Sequence, residues 1–249
     1  MQHVSRITGI ALLLTLIVCG CVTVQPAECH AVIVQSVAPG SASVLRDILT
    51  ESGWSGESIK CTGNDEPFAQ YCESTVSAES VLSAISDTAQ VTGENDLVLI
   101  AFVTHMSKGY LLDGELTAIE LNAAVEEFPE GATVVVLIEG CYSSDHLEFV
   151  GSADVVYVSA GSDETCYGGW MELFLDALGA DEEAHGAADV NKDERVSLGE
   201  AYDYAADVER LGEWYDMLPD EVWSPYTPVP RPSRRVSVDD YEIYIDIRK

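Results

Sequence analysis

Two apolar runs end on side chains that can do chemistry. "DLVLIAFVTH", residues 96–105, ends on His105, and "VVVLIEGC", residues 134–141, ends on Cys141. A thiol attacks a carbonyl carbon only as the thiolate. An imidazole beside it can take the proton, stabilise the ion pair and later protonate a leaving amine. A structural cysteine fits anywhere along a buried run, whereas Cys141 stands where the run should emerge, just before the polar turn "YSSD". The two residues are 36 positions apart. A zinc site built from His105, Cys141 and His146 has no CxxC or HxxxH spacing behind it.

A second stretch, "DVNKDERVSLGE", spans residues 189–200. Asp189, Asn191, Asp193, Arg195, Ser197 and Glu200 fall at positions 1, 3, 5, 7, 9 and 12 of a calcium loop. Oxygens at that spacing converge on one hard cation, with Arg195 offering its carbonyl and Glu200 reaching back from a helix. Glu194 stands at position 6, where glycine normally makes the sharp turn. Calcium is therefore a candidate ligand, and a turn that keeps the shape without the ion is the alternative.

The elements that must position these residues read as alternating strands and helices. "HAVIVQSV" is a short β-branched run, and "SASVLRDILTESG" and "SAESVLSAISDTAQV" have helical spacing. "DLVLIAFVTH" is apolar throughout, as a strand buried on both faces would be. "KGYLLDGEL" predicts a small hairpin, and "TAIELNAAVEEF" a helix with a Thr117–Glu120 capping box. "ATVVVLIEG" and "ADVVYVSAG" are further strands, "WMELFLDALG" and "LGEAYDYAADVERLGEWY" helices, and "DYEIYIDI" a terminal edge strand. This alternation predicts an α/β sandwich with a mainly parallel sheet, in which function sits at the carboxyl ends of the strands. His105 and Cys141 both occupy that edge.

Composition excludes some partners. The 249 residues carry 43 acidic and 12 basic side chains, a net charge of −31. Such a surface repels nucleic-acid phosphates, so nucleic-acid binding is not expected. "MQHVSRITG" followed by "IALLLTLIV" reads as a signal segment too short to span a bilayer comfortably. The following "VCGC" resembles the lipobox of bacterial lipoproteins, with Cys21 as the lipid-modified first residue of an extracytoplasmic, membrane-anchored chain. An ordinary secretory signal or an uncleaved anchor also fits. Residues 1–21 are thus set apart as signal, 22–215 as the domain, and 216–249 as a Pro-rich segment ending in the edge strand.

Of seven cysteines, Cys19 and Cys21 belong to the targeting segment and five remain, an odd number. Cys61 and Cys72 flank a loop-like stretch that a disulfide would close. Cys29 with Cys166 follows by elimination, which leaves Cys141 as the unpaired thiol. His30, near the mature N-terminus, and His185, in the acidic "DEEAHGAAD", carry no pattern of their own.

"TH", "GYLLDG" and "EGCYSS", in that order over residues 104–144, resemble the catalytic core of the legumain, caspase and metacaspase group of cysteine peptidases. The resemblance covers roughly residues 96–205. It implies a caspase-like three-layer α/β/α sandwich and a cysteine endopeptidase that needs no catalytic cofactor and takes protein or peptide substrates. His105 is then the general acid or base and Cys141 the nucleophile, the backbone of Met106 and Cys141 serves the oxyanion, and Glu139 and residues 142–144 shape the site. "YVSAGSDE" implies that Ser159, Asp163 and Glu164 line the pocket for the side chain before the cut; a solvated acidic loop is the alternative. Met106 stands where the group usually has Gly after His, and Ser144 where it has Gly after Ser. A catalytically inactive surface module of the same fold, binding peptide or calcium, is the competing reading. The sequence is silent on oligomeric state.

Overall fold

The computed structural model describes residues 28–37, 40–64, 68–72, 74–147, 150–161, 164–166, 168–219 and 228–245. In chain order its elements are β1 (Cys29–Gln35), α1 (Ser41–Glu51), β2 (Ile59–Gly63), α2 (Ala78–Ala89), β3 (Leu97–Val103), β4 (Met106–Ser107), β5 (Tyr110–Leu111), β6 (Leu116–Thr117), α3 (Ala118–Val125), β7 (Thr133–Glu139), β8 (Val155–Val158), α4 (Gly169–Leu175), α5 (Glu182–Ala188), α6 (Leu198–Ala205), α7 (Val208–Asp216) and β9 (Ser233–Val236). The expected lipid site at Cys21 lies outside the described residues.

Six strands form one sheet in the order β2-β1-β3-β7-β8-β9. All neighbours run parallel except β9, which is antiparallel to β8. Every residue of β3 is buried, which is why that run shows no polar alternation. Its odd-numbered side chains, from Leu97 to Val103, pack with α1, α4 and α6. Its even-numbered ones, Val98, Ile100 and Phe102, pack with α2 and α3. The result is the three-layer α/β/α sandwich with a mainly parallel sheet that the alternation predicts. Each apolar side chain so buried stabilises by roughly 1.5–3 kcal/mol, and truncating Phe102 to alanine would cost about 3–5 kcal/mol.

Local signals were mostly legible. The Thr117–Glu120 box is formed, with the Glu120 carboxylate accepting from Thr117 N (2.9 Å) and Thr117 Oγ1 accepting from Glu120 N (3.2 Å). "KGYLLDGEL" folds as the small three-stranded β4–β5–β6 sheet rather than a plain hairpin.

Four expectations need correction. Edge strand β2, "IKCTG", was missed because its Lys, Thr and Gly break any apolar run. Acidic "DEEAHGAAD", expected to be an exposed loop from its charge, holds α5, started by Asp181 accepting from Ala184 N at 2.8 Å. The helix read through residues 198–215 is broken into α6 and α7, because Asp207 caps Arg210 N at 2.9 Å and starts a new helix. The sixth strand is β9, "SRRV"; of "DYEIYIDI" residues 240–245 are described, and they form no strand of the sheet. In the latter stretch Leu198 N bonds Ile243 O and Ile245 is buried among the α4 and α6 side chains, so its alternation reflects packing on helices. The segment beyond residue 215 therefore supplies sheet and core to the same body as the preceding residues. Within β9, Arg235 donates to the carbonyls of Leu147, Val150 and Ala153 in the connection after β7.

Candidate active site

The register of β3 and β7 places the two reactive side chains. Each residue of β3 pairs with the residue 36 positions later, from Leu97–Thr133 to Val103–Glu139. Thr104 N continues the ladder by donating to Glu139 O at 3.1 Å. The same offset carries His105 opposite Cys141, one step beyond the carboxyl edge. The His105 backbone is fixed on both sides, its N–H donating to Ser36 Oγ (3.2 Å) after β1 and its carbonyl accepting from Asp113 N (3.2 Å). Its side chain is exposed, and Cys141 is half-buried.

The chain turns sharply after Cys141. Tyr142 takes a left-handed conformation (φ 59°), and residues 143–146 form a 3-10 turn. Loops after β7 and β8 are tied together: Tyr142 N donates to Glu164 O (2.8 Å), Ser144 N to Ala160 O (2.9 Å), and Ala160 N to Ser143 Oγ (2.9 Å). Ser144 is not among the residues at positive φ, so its position makes no demand for glycine. The strained backbone belongs to Tyr142 instead.

A second thiol, unassigned by the sequence to any site, lies against the first. Cys141 Sγ is 3.8 Å from the Cys166 carbonyl, and hydrogen bonding with the Cys166 side chain acts on its titration. That hydrogen bond is the main influence holding the Cys141 thiol down, to about 6; burial opposes it, and the His105 charge adds to it. Cys166 is pushed in the other direction by the same hydrogen bond, by burial and by Glu139. Its Sγ contacts Ser159 Oγ (3.4 Å) and donates to Glu139 Oε1 (3.3 Å).

Glu139 and Ser159, expected at the substrate pocket, are both buried side chains beside Cys166. Glu139 is 3% exposed and its Oε2 accepts from Met171 N at 3.0 Å. Burial pushes its carboxyl up to about 7, against the hydrogen bonds from Cys166, Met171 N and Ser159. Ser159, 1% exposed, accepts from Gly140 N at 3.1 Å and so braces the peptide before Cys141. Glu164 is engaged in structure, its Oε2 accepting from Gly161 N (2.8 Å) and Arg231 N (2.7 Å). Asp163 lies outside the described residues.

Met106 does not crowd the site. Its side chain is buried in the α2/α3-side core, directly against Gly140: a Cβ on Gly140 would sit 2.7 Å from Met106 Sδ. The side chain goes under the nucleophile's strand end, and the backbone of Met106 remains at the edge.

Cys29 and Cys166 cannot form the pair inferred by elimination. Cys29 begins β1 at the amino edge, whereas Cys166 lies beside Cys141 at the carboxyl edge. The seven residues of β1 span roughly 20 Å, far beyond disulfide reach. By position it is Cys29 that stands apart. Sequence reasoning missed Cys166 because its contact depends on β8 lying parallel beside β7, which brings their two exit loops together. Cys61 is buried in β2 and Cys72 is half-buried against the same core cluster.

Three other histidines sit in structural settings. His30 Nε2 is 3.4 Å from the buried carboxylate of Asp96, which also accepts from Glu28 N and Gly93 N. Glu28, His30 and Asp96 are the one cluster of three ionisable ligand groups gathered closely among the described residues, and the bonds of Asp96 account for it. His185 Nδ1 bonds Ala177 O at 2.9 Å. His146 is fully buried and burial pushes its imidazole down to about 4.

The 189–200 stretch adopts a tight oxygen-lined loop. Asp189 accepts from Asp193 N and Glu194 N, Asn191 from Asp193 N, and Asp193 from Arg195 N. Glu194 has φ 67°, the left-handed turn expected at position 6. Glu200 caps Ser197 through Oε2 (3.0 Å), and its Oε1 accepts from Asn191 N (3.4 Å). Backbone N–H groups of the loop thus bond the side-chain oxygens of Asp189, Asn191, Asp193 and Glu200.

No family model matches the chain, and no curated protein matches it either. Among solved structures, the Geobacter sulfurreducens protein GSU0716 is similar, with a TM-score of 0.52 and 13% identity over 87% of this chain and 97% of that one. At that identity the likeness concerns the fold alone. A secreted C11 cysteine protease from Bacteroides thetaiotaomicron, solved with an irreversible peptide inhibitor, gives a TM-score of 0.41 and 11% identity over 84% of this chain and 65% of that one.

Proposed function

We propose that the chain is a cysteine endopeptidase of the caspase and legumain type, with Cys141 as nucleophile and His105 as general acid and base. The observation that carries this reading is the β3–β7 register, which sets the two side chains on neighbouring strands at the edge where parallel sheets place their chemistry. The depressed Cys141 thiol supplies the thiolate near neutral pH. Cys141 Sγ attacks the peptide carbonyl, and the Met106 and Cys141 N–H groups are the proposed oxyanion donors. His105 protonates the leaving amine, then deprotonates the water that releases the acyl group. No cofactor enters this scheme.

The competing reading, an inactive peptide- or calcium-binding module, was motivated by Met106 and Ser144. The inward packing of Met106 and the ordinary backbone of Ser144 give it little support. A peptide-library assay tests the choice. Cleavage that disappears in both Cys141→Ala and His105→Ala is expected, and no cleavage by reduced protein across the library would sink the peptidase reading.

Two attributes complete the proposal. The 189–200 loop binds calcium as a structural ion, through Asp189, Asn191, Asp193, the Arg195 carbonyl, Ser197 and Glu200. The chain is held at an extracytoplasmic membrane face by a lipid on Cys21. Cys21→Ala should release it from membranes, and a variant that stays bound would show a different anchor. Among the described residues no helix is long and apolar enough to cross a membrane.

A further inference from the structure

Cys166 makes and breaks no bond in the proposed hydrolysis, yet its thiol is held by several partners. Its carbonyl lies 3.8 Å from Cys141 Sγ, and its own thiol is held by Ser159 Oγ at 3.4 Å and Glu139 Oε1 at 3.3 Å. Ser159 is itself fixed by Gly140 N, the residue before the nucleophile. The backbones carrying the two cysteines are joined by the Tyr142 N to Glu164 O bond, between residues adjacent to or two removed from each cysteine. Two sulfurs on facing, mutually bonded loops can reach disulfide geometry with little backbone movement. We propose that Cys141 and Cys166 are a reversible redox pair, closed by peroxides and opened by thiols.

The chemistry balances with a peroxide as the two-electron oxidant. The Cys141 thiolate attacks the peroxide O–O bond, giving a Cys141 sulfenic acid and releasing an alkoxide or hydroxide, which is protonated by water. Glu139 then takes the Cys166 proton across their 3.3 Å contact. The Cys166 thiolate attacks the Cys141 sulfur, the S–S bond forms, and the sulfenic oxygen leaves as hydroxide, which takes the proton held by Glu139 and becomes water. Two thiols are oxidised to one disulfide, and the peroxide is reduced to an alcohol and water, or to two waters. An external thiol reverses the step by exchange. An accessible thiolate beside a resolving cysteine is the arrangement that stops oxidation short of the sulfinic acid. Burial keeps Glu139 close to neutrality in its proton affinity, so it can accept the proton at physiological pH. The pairing stands on the 3.8 Å approach of Cys141 Sγ to the Cys166 backbone and on the bonded loops; its consequence, that closure silences hydrolysis, rests on the peptidase reading above.

The test is peroxide titration of the reduced full-length protein, followed by alkylation and non-reducing peptide mapping. Labelling of Cys141 and Cys166 should be lost together, a linked peptide containing both should appear, and dithiothreitol should restore both thiols and any peptide hydrolysis. In Cys166→Ser the oxidised Cys141 should be trapped by dimedone and then pass to a form dithiothreitol does not recover. Mapping of the unmodified chain decides the matter even if that variant does not fold. Cys141 oxidised while Cys166 remains alkylatable would overturn the pair. Hydrolysis by a reduced protein that never crosslinks overturns only the pair. Crosslinking by a protein that never hydrolyses peptides supports it and overturns only the peptidase.

Discussion

Gly140→Ala probes the packing directly under the nucleophile. A Cβ there would lie 2.7 Å from the Thr104 carbonyl oxygen and 2.7 Å from Met106 Sδ. Non-bonded carbon contacts are comfortable at roughly 3.5–4.0 Å, so close to 1 Å must be found. The Met106 side chain can give by changing rotamer, but the Thr104 backbone is tied to the sheet through its N–H, which donates to the Glu139 carbonyl. Overpacking of this kind costs about 1–3 kcal/mol. For a domain of this size that lowers the melting temperature by about 2–12 °C. Differential scanning calorimetry should find this drop, and Cys141 alkylation should slow because the strand end carrying it has moved. Met106→Ala will itself destabilise, but in that background Gly140→Ala should cost less while remaining measurable, since the Met106 Sδ and Cγ contacts have gone and the Thr104 one remains. A Gly140→Ala protein that melts within about 1 °C of the parent, or an equal cost in both backgrounds, would refute the placement of Met106 beneath Gly140.

Three further outcomes are expected. Iodoacetamide labelling of Cys141 should rise with pH through a midpoint near 6, and Cys166→Ala should move that midpoint up by more than His105→Ala does, since the Cys166 hydrogen bond is the larger influence; unmoved midpoints would refute this electrostatic account. Glu139 has a folded pKa of about 7 against an ordinary 4.5, so its neutral form is favoured on folding: the folded state loses stability as pH rises between those values, by about 3 kcal/mol in total. In urea titrations Glu139→Gln should therefore match the parent below pH ~4.5 and exceed it increasingly up to pH ~7, and parallel profiles would refute the burial argument. Millimolar calcium should raise the melting temperature and Asp189→Ala should abolish the rise, while Glu194→Gly, by relieving φ 67°, should gain about 1 kcal/mol even in chelator; indifference to calcium would leave the loop a turn without an ion.

Much of this architecture was legible because it rests on local patterns. The unbroken apolar runs of β3 and β7 announce strands buried on both faces, and their equal spacing from His105 to Cys141 is the sheet register itself. Thr117 and Glu120 mark a helix start through contacts three residues apart. What was not legible depends on distant neighbours. Cys166 is 25 residues from Cys141, and nothing in "DETCYGG" says which edge it will join. β9 carries two arginines and no apolar run; it is a strand because β8 offers an open edge and the carbonyls of residues 147, 150 and 153 await a guanidinium. The inward turn of Met106 follows from the missing side chain of Gly140, a vacancy visible only when the strands are side by side.

Arg235 and the backbone N–H of Arg231 hold the loops that flank Cys141, the first through the connection after β7 and the second through Glu164. Both come from a segment synthesised after every other strand of the sheet. During vectorial emergence from a ribosome or a secretion channel, the parallel strands can pair while these two clamps are still inside. The thiol is therefore assembled on its strand before its surrounding loops are fastened, and the final stretch of chain acts as a timer. A nascent chain halted before residue 231 should hold β1, β3 and β7 protected from hydrogen exchange while its exit loops remain open to proteases.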